Sequence, residues 1–337
     1  MILCPESFIV SPMTTILPVA SGKGGVGKSA FVANIGVSLA KQGKTVLLID
    51  LDLGGSNLHT FLGLSNKHDG IGNYIYEKDS SLESLIVPTG IERLYFISGD
   101  SLLPGTANLK YFVKKKIIRE MKNIIADFVI LDLGAGAAYN TIDFFLVTTK
   151  GLLVTTPETT SILNAYSFLK STLFRLIYRS FPPESEERNC VYNFITDRIE
   201  GTDASFRTLV DRLGEISPES GESAERQLRS LFPRVVLNMG RSNQDISLGS
   251  KLREIVWKNL GLSMEYIGFV GYDDIVRRSI LERNPTLIGY PDTPFARAVD
   301  RIGRKLITMP SPIHPPLYEA DEDLKELAGE SSLSDLI

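Results

Sequence analysis

The chain has 337 residues and is 43% hydrophobic, enough to bury one large core or two smaller ones. A net charge of −4 gives no global bias towards nucleic acid. Two distant cysteines, Cys4 and Cys190, and three scattered histidines, His59, His68 and His314, exclude a disulfide framework, a C-x-x-C metal site and a zinc cluster. No apolar run is long enough to span a bilayer. The opening MILCPESFIVSP has an acid and prolines where a signal peptide would be uniformly apolar, so a cytoplasmic protein is expected.

Residues 1–14 read as an extended arm broken by Pro5 and Pro12. Ile16 to Ala20 form a short β-type run, followed by a glycine-rich turn and then helix-compatible residues. From Gly22 to Ser29 the spacing is that of the phosphate loop G-x-x-x-x-G-K-[ST]. Phosphates are expected against the backbone of Gly22, Gly24, Gly25, Val26, Gly27, Lys28, Ser29 and Ala30, where N–H groups converge and a helix dipole adds positive potential. Lys28 is expected to reach the β- and γ-phosphates, and the Ser29 hydroxyl to ligate magnesium. Lys23 follows the first glycine, where a side chain leaves the loop and is better placed to reach a nucleotide on a facing subunit. The string GKGGVGKS thus resembles the deviant Walker A ATPases of the MinD/ParA class, whose signature lysine acts this way in an ATP-sandwich dimer.

Phe31, Val32, Ile35 and Leu39 recur at helical spacing until Gly43. Thr45 to Ile49 reads as a buried parallel strand ending in Asp50-Leu51-Asp52, where carboxylates face a ligand crevice; a pair of turn or capping aspartates is the alternative. The resemblance implies that Asp52 orients the attacking water and Asp50 supports the magnesium shell. The following GGSNLHTFLGL resembles switch I of MinD-like proteins, with Asn57 at a recurring asparagine. Asn66 to Asp69 spells the guanine-selecting NKHD, but upstream of the magnesium aspartate, so a polar surface turn is expected.

A strand at Leu94 to Ile97 leads to a helix from about Asn108 to Ile125 bearing Lys114, Lys115, Lys116, Arg119 and Lys122. This is either a solvated helix face or a patch for phosphate backbone or anionic lipid. DFVILDLGAG then ends a buried strand at Asp132, the Walker B type acid expected to hold magnesium through water. Gly134 and Gly136 let the backbone approach a γ-phosphate and change shape after its loss. The D-x-G-A-G form and the later TPETTS resemble the FlhG/FleN flagellar-number regulators within the class.

After a strand at Gly151 to Thr155, Ile162, Tyr166, Leu169, Leu173 and Leu176 mark one apolar helix face. Residues 178–231 are polar and read as an inserted helical subdomain or a partner surface. Arg234 to Leu237 is a strand ending at Asn238; the resemblance makes Asn238 a base contact, and a strand-end turn residue is the alternative. GYDDIVRRSILERNPTL resembles the segment after the class's last core strand, with Gly271 in place of the usual proline. Arg277, Arg278, Arg283, Arg297, Arg301 and Arg304 lie where ParA-like proteins carry residues for nonspecific DNA binding; solvated ion pairs are the alternative. The tail 310–337 is acidic and is expected to be disordered, with a docking peptide using Leu324, Leu327, Leu333 and Leu336 as the rival reading. Its acidity argues against direct insertion into an anionic membrane.

The expectation is one doubly wound α/β P-loop NTPase domain over 15–309, a mostly parallel sheet flanked by helices with the motifs at the strands' carboxyl ends. The resemblance implies slow Mg-ATP hydrolysis that controls pairing of two copies, with protein partners such as flagellar assembly factors. A ParA-like DNA-partition ATPase is the alternative.

Overall fold

Runs of Val, Ile and Leu without polar alternation belong to parallel strands buried on both faces. The computed structural model, which describes residues 14–65, 69–76, 81–99, 109, 111–199, 205–308 and 321–330, places them in one eight-stranded sheet. The strands are β1 (Thr15–Ser21), β2 (Val46–Leu51), β3 (Val87–Pro88), β4 (Leu94–Ile97), β5 (Phe128–Ala135), β6 (Leu152–Thr155), β7 (Arg234–Gly240) and β8 (Glu265–Gly271). Their order is β3-β4-β2-β5-β1-β6-β7-β8, parallel throughout except where the short β3 pairs with β4. The doubly wound α/β fold expected from the motifs is the fold observed.

The helices are α1 (Lys28–Lys41), α2 (Leu58–Phe61), α3 (Ile71–Tyr76), α4 (Tyr111–Met121), α5 (Tyr139–Phe145), α6 (Thr159–Ser180) and α7 (Glu186–Ile199). They continue as α8 (Phe206–Ile216), α9 (Pro218–Ser230), α10 (Ile246–Leu260), α11 (Asp274–Leu281), α12 (Thr286–Gly289), α13 (Pro294–Thr308) and α14 (Glu322–Glu330). Successive strand residues face opposite sides, so the sheet divides its core in two. Val46 and Leu48 pack with Phe31 and Ile35 of α1 and Val299 and Ile302 of α13. Leu47 and Ile49 belong to the opposite layer, with Ile117 of α4, Phe145 of α5, Phe168 of α6 and Leu252 of α10.

The described residues of 178–231 form the end of α6 and helices α7 to α9, and they are not a polar appendage. Val191, Phe194, Phe206, Leu209, Leu213 and Ala224 are buried in the same core as β2 and β5, and the Phe174 ring lies 5.0 Å from Phe206. The tail also departs from expectation. Instead of disorder throughout, residues 322–330 form α14, with Leu324 and Leu327 buried and Leu324 packed over Gly249. Arg253 pairs with Asp321 and Asp323 at its start, and Lys305 with Glu330 at its end. Leu333, Leu336, the arm 1–13 and most of the NKHD turn lie outside the described residues. No helix among the described residues is long and apolar enough to cross a membrane.

Docking of α14 predicts that Leu324→Ala costs about 2 to 4 kcal/mol of unfolding free energy, the range for truncating a buried leucine. Urea denaturation measures this, and a loss below about 0.5 kcal/mol, the scale of an ordinary surface change, would show that α14 is not part of the core.

Candidate active site

β1 delivers the chain to the loop at Ser21, and α1 begins at Lys28. Between them Gly25 and Gly27 have φ of 82° and 80°, the left-handed region that glycine enters without strain. Gly22 is required for another reason. A Cβ there would sit 2.3 Å from the backbone carbon of Asn164, so the loop lies directly on α6. Gly22→Ala must therefore push the loop off its helix. Nucleotide affinity should fall at least about tenfold, equivalent to about 1.4 kcal/mol. Isothermal titration calorimetry showing unchanged affinity would refute this placement.

β2 and β5 are neighbours in a register that sets Asp50 beside Asp132. Both carboxyls are buried. Lys28 Nζ donates to Asp132 Oδ1, and the Ser29 hydroxyl bonds the same carboxylate. Asp50 accepts from the Asp52 N–H at 3.0 Å, the Ser56 hydroxyl at 2.7 Å and the Leu58 N–H at 3.1 Å. Burial and the nearby Asp132 nevertheless push Asp50 up to about 7, because these hydrogen bonds only partly offset the lost hydration. Burial likewise pushes Asp132 up, with Lys28 pulling it down. Asp52 sits at the rim, its Oδ1 3.4 Å from where a Cβ on Gly134 would stand, so the turn that follows β2 meets the end of β5.

A cavity of about 490 Å³ opens over the loop. The loop and Ser21 form its floor, Asp52 and Ala135 one side, and Asn238, Met239, Tyr272, Val276, Ile280 and Phe61 contribute a largely apolar remainder. Ser21 Oγ is buried without a hydrogen-bond partner among the described residues, a polar atom at the wall that suits a phosphate oxygen. The oxygen donors of Ser29, Asp50 and Asp132 are of the hard type that magnesium takes. Asn238 donates its side-chain N–H to the Val26 carbonyl at 2.8 Å, and its Nδ2 would stand 2.6 Å from a Cβ on Gly27. It lines the cavity and braces the loop at once.

Lys23 takes another direction. Its Nζ bonds Glu158 Oε2 at 2.7 Å and Thr160 Oγ1 at 3.1 Å at the start of α6. The structure thus lines one cavity with Lys28, Ser29, Asp52 and Asn238, buries Asp132 and Asp50 behind them, and turns Lys23 towards α6.

A family model described as ParA, NUBPL iron-transfer P-loop NTPase, matches residues 12–172. Antiactivator FleN of Pseudomonas aeruginosa is 23% identical over 301 residues, covering 89% of each chain. An uncharacterised ATP-binding protein of Methanocaldococcus jannaschii is 27% identical over 308 residues, covering 89% of this chain and 90% of its own length. The chain is similar to the ParA/MinD P-loop NTPases. The fold agrees: MinD of Pyrococcus horikoshii complexed with Mg-ADP superposes with a TM-score of 0.59 at 21% identity, covering 88% of this chain and 97% of that one.

Iron transfer, part of the family model's description, finds no paired cysteines in this chain, whose two cysteines are Cys4 and Cys190. Sequence reasoning missed Glu158 as the partner of Lys23 and the apolar wall of the cavity. For the wall a signal existed: Asp273, Val276, Arg277 and Ile280 recur at helical spacing, and they line the cavity from α11 and its N-cap.

Proposed function

We propose that this protein is a Mg-ATP-dependent dimerising switch, a spatial regulator of the FlhG/FleN kind. The observation that carries it is the division of labour between two lysines: Lys28 buried on Asp132 beneath the loop, and Lys23 outside on an exposed carboxylate. In this reading Lys28 turns from Asp132 onto β- and γ-phosphate oxygens as the nucleotide enters. Ser29, Asp50 and Asp132 would hold magnesium, which supplies charge neutralisation between the phosphates. Asp52 aligns a water against the γ-phosphate, and the Gly134–Gly136 segment at the end of β5 relaxes once that phosphate leaves. Asn238 and Tyr272 flank the base. Lys23 exchanges Glu158 for the nucleotide of a second copy.

The ATPase core is supported by the ParA/MinD likeness, and the flagellar output by the FleN likeness together with the DLGAG and TPETTS wording. Its test is nucleotide-dependent DNA retention. A FlhG/FleN-like switch hydrolyses ATP with no DNA bound at low salt. ATP-dependent retention that weakens steeply with added salt would instead establish the partition reading through the α11–α13 arginines. Among those, Arg278 and Arg304 are already paired with Glu282 and Asp300, which favours the first outcome.

A further inference from the structure

We propose that the surface made by α4, α5 and α6 docks an acidic segment of a protein partner, with a partner carboxylate pairing to Arg179. The observation is an imbalance of charge around one buried acid. Asp143 on α5 accepts from Lys114 Nζ at 2.5 Å, from Arg175 Nε at 2.8 Å and Nη2 at 3.0 Å, and from Arg179 Nη1 at 3.2 Å. Three cations meet a single carboxylate, so the cluster keeps a positive surplus. That surplus holds Asp143 below the usual carboxylate range despite its burial.

The surplus reaches the surface through Arg179, whose side chain is 40% exposed while that of Lys114 is 9% exposed. The Arg179 guanidinium borders a depression of about 240 Å³ together with Leu146, Ser180 and Gln227, room for an incoming side chain. Exposed aromatic rings lie on the same set of helices. Tyr139 carries the Arg175 guanidinium 4.9 Å from its ring centre and is 70% exposed. Tyr111 and Phe112, one turn before Lys114, are likewise exposed. Large exposed aromatics joined to arginines are the composition of protein interfaces rather than of a solvated helix face. Cations convergent on a buried acid, unlike an open basic row, also fit a single carboxylate better than a nucleic-acid backbone.

The placement gives such docking a consequence. α5 begins at Tyr139, immediately after the Gly136–Ala138 connection from β5, and Asp143 is one helical turn further on. A partner carboxylate that draws Arg179 away from Asp143 loosens the staple holding α5 to α6. The surface itself does not depend on the nucleotide reading.

The test uses the full chain and a fluorescein-labelled poly(Glu,Tyr) copolymer in fluorescence anisotropy at low salt. A short DNA duplex and phosphatidylglycerol vesicles serve as the competing probes. The copolymer is expected to bind, and Arg179→Glu to weaken it about tenfold or more. Arg179→Gln, which puts no second carboxylate beside Asp143, should weaken it about threefold or more with the fold intact. Arg304→Glu on α13, across the sheet, should change it less than about twofold. Absent copolymer binding, equal loss from Arg304→Glu, or DNA or vesicles bound more tightly in an Arg179-dependent way would each overturn the proposal. Calorimetric ATP affinity is expected to be the same in all three variants, which separates this result from failure of the nucleotide site.

Discussion

Lys28→Ala is expected to lower ATP turnover on the order of a hundredfold or more, the scale for losing one preorganised cation or donor at developing charge. Lys28 is a buried cation at the base of the loop, in a layer that also buries Asp50 and Asp132. Without it, a polyanion entering the site meets two buried carboxyls stripped of their lysine counter-charge. The nucleotide-free protein should change as well. Lys28 pulls the Asp132 carboxyl down against its burial, so removing Lys28 raises that pKa further above its unfolded value. A carboxyl raised in the folded state binds more protons folded than unfolded. The stability deficit of the variant therefore grows as pH rises through that window and shrinks towards acid. Urea midpoints at about pH 5 and about pH 8 measure it, and a deficit larger at the acid end would contradict the sign.

Lys23→Ala is expected to leave ATP affinity near that of the parent and to remove ATP-dependent pairing, with turnover reduced on the order of a hundredfold or more, by analogy with a cation supplied in trans. In the single chain Lys23 is held by Glu158 and Thr160. Glu158 is 63% exposed, so the ion pair is a surface contact worth at most about 1 kcal/mol, and its exchange is no obstacle. Glu158→Gln should accordingly strengthen pairing, by no more than about fivefold. Stoichiometry by mass photometry with and without Mg-ATP checks both variants. Loss of pairing in Glu158→Gln would show that Glu158 belongs to the subunit contact rather than to the resting position of Lys23.

What could be read from the sequence was the chemistry carried by short spacings. The phosphate loop, Asp50-Leu51-Asp52 and Asp132 each sit at the end of an unbroken β-type run, so local pattern alone puts them at one edge of a parallel sheet. Long-range partners were not legible. Lys114 stands in a run of lysines that reads as a solvated face, yet it is buried because Asp143, 29 positions away, receives it. The tail is acidic enough to look disordered, yet α14 docks because Arg253 and Lys305 answer its charges and Gly249 leaves room for Leu324. In 178–231 the polar residues dominate the composition, while Phe194, Phe206 and Leu213 at helical positions anchor it to the core. For Asn238 the sequence leaves a base contact and a strand-end turn residue open, and its hydrogen bond to Val26 adds a bracing of the loop that no spacing could reveal.

Asp52→Ala, which removes the water-aligning carboxylate and keeps both lysines, gives the most direct test when its mass in solution is measured by sedimentation with Mg-ATP. Two ATP-filled chains held together, and their separation when Lys23→Ala is added, is the predicted result. A single chain that binds ATP yet never pairs would contradict the switch.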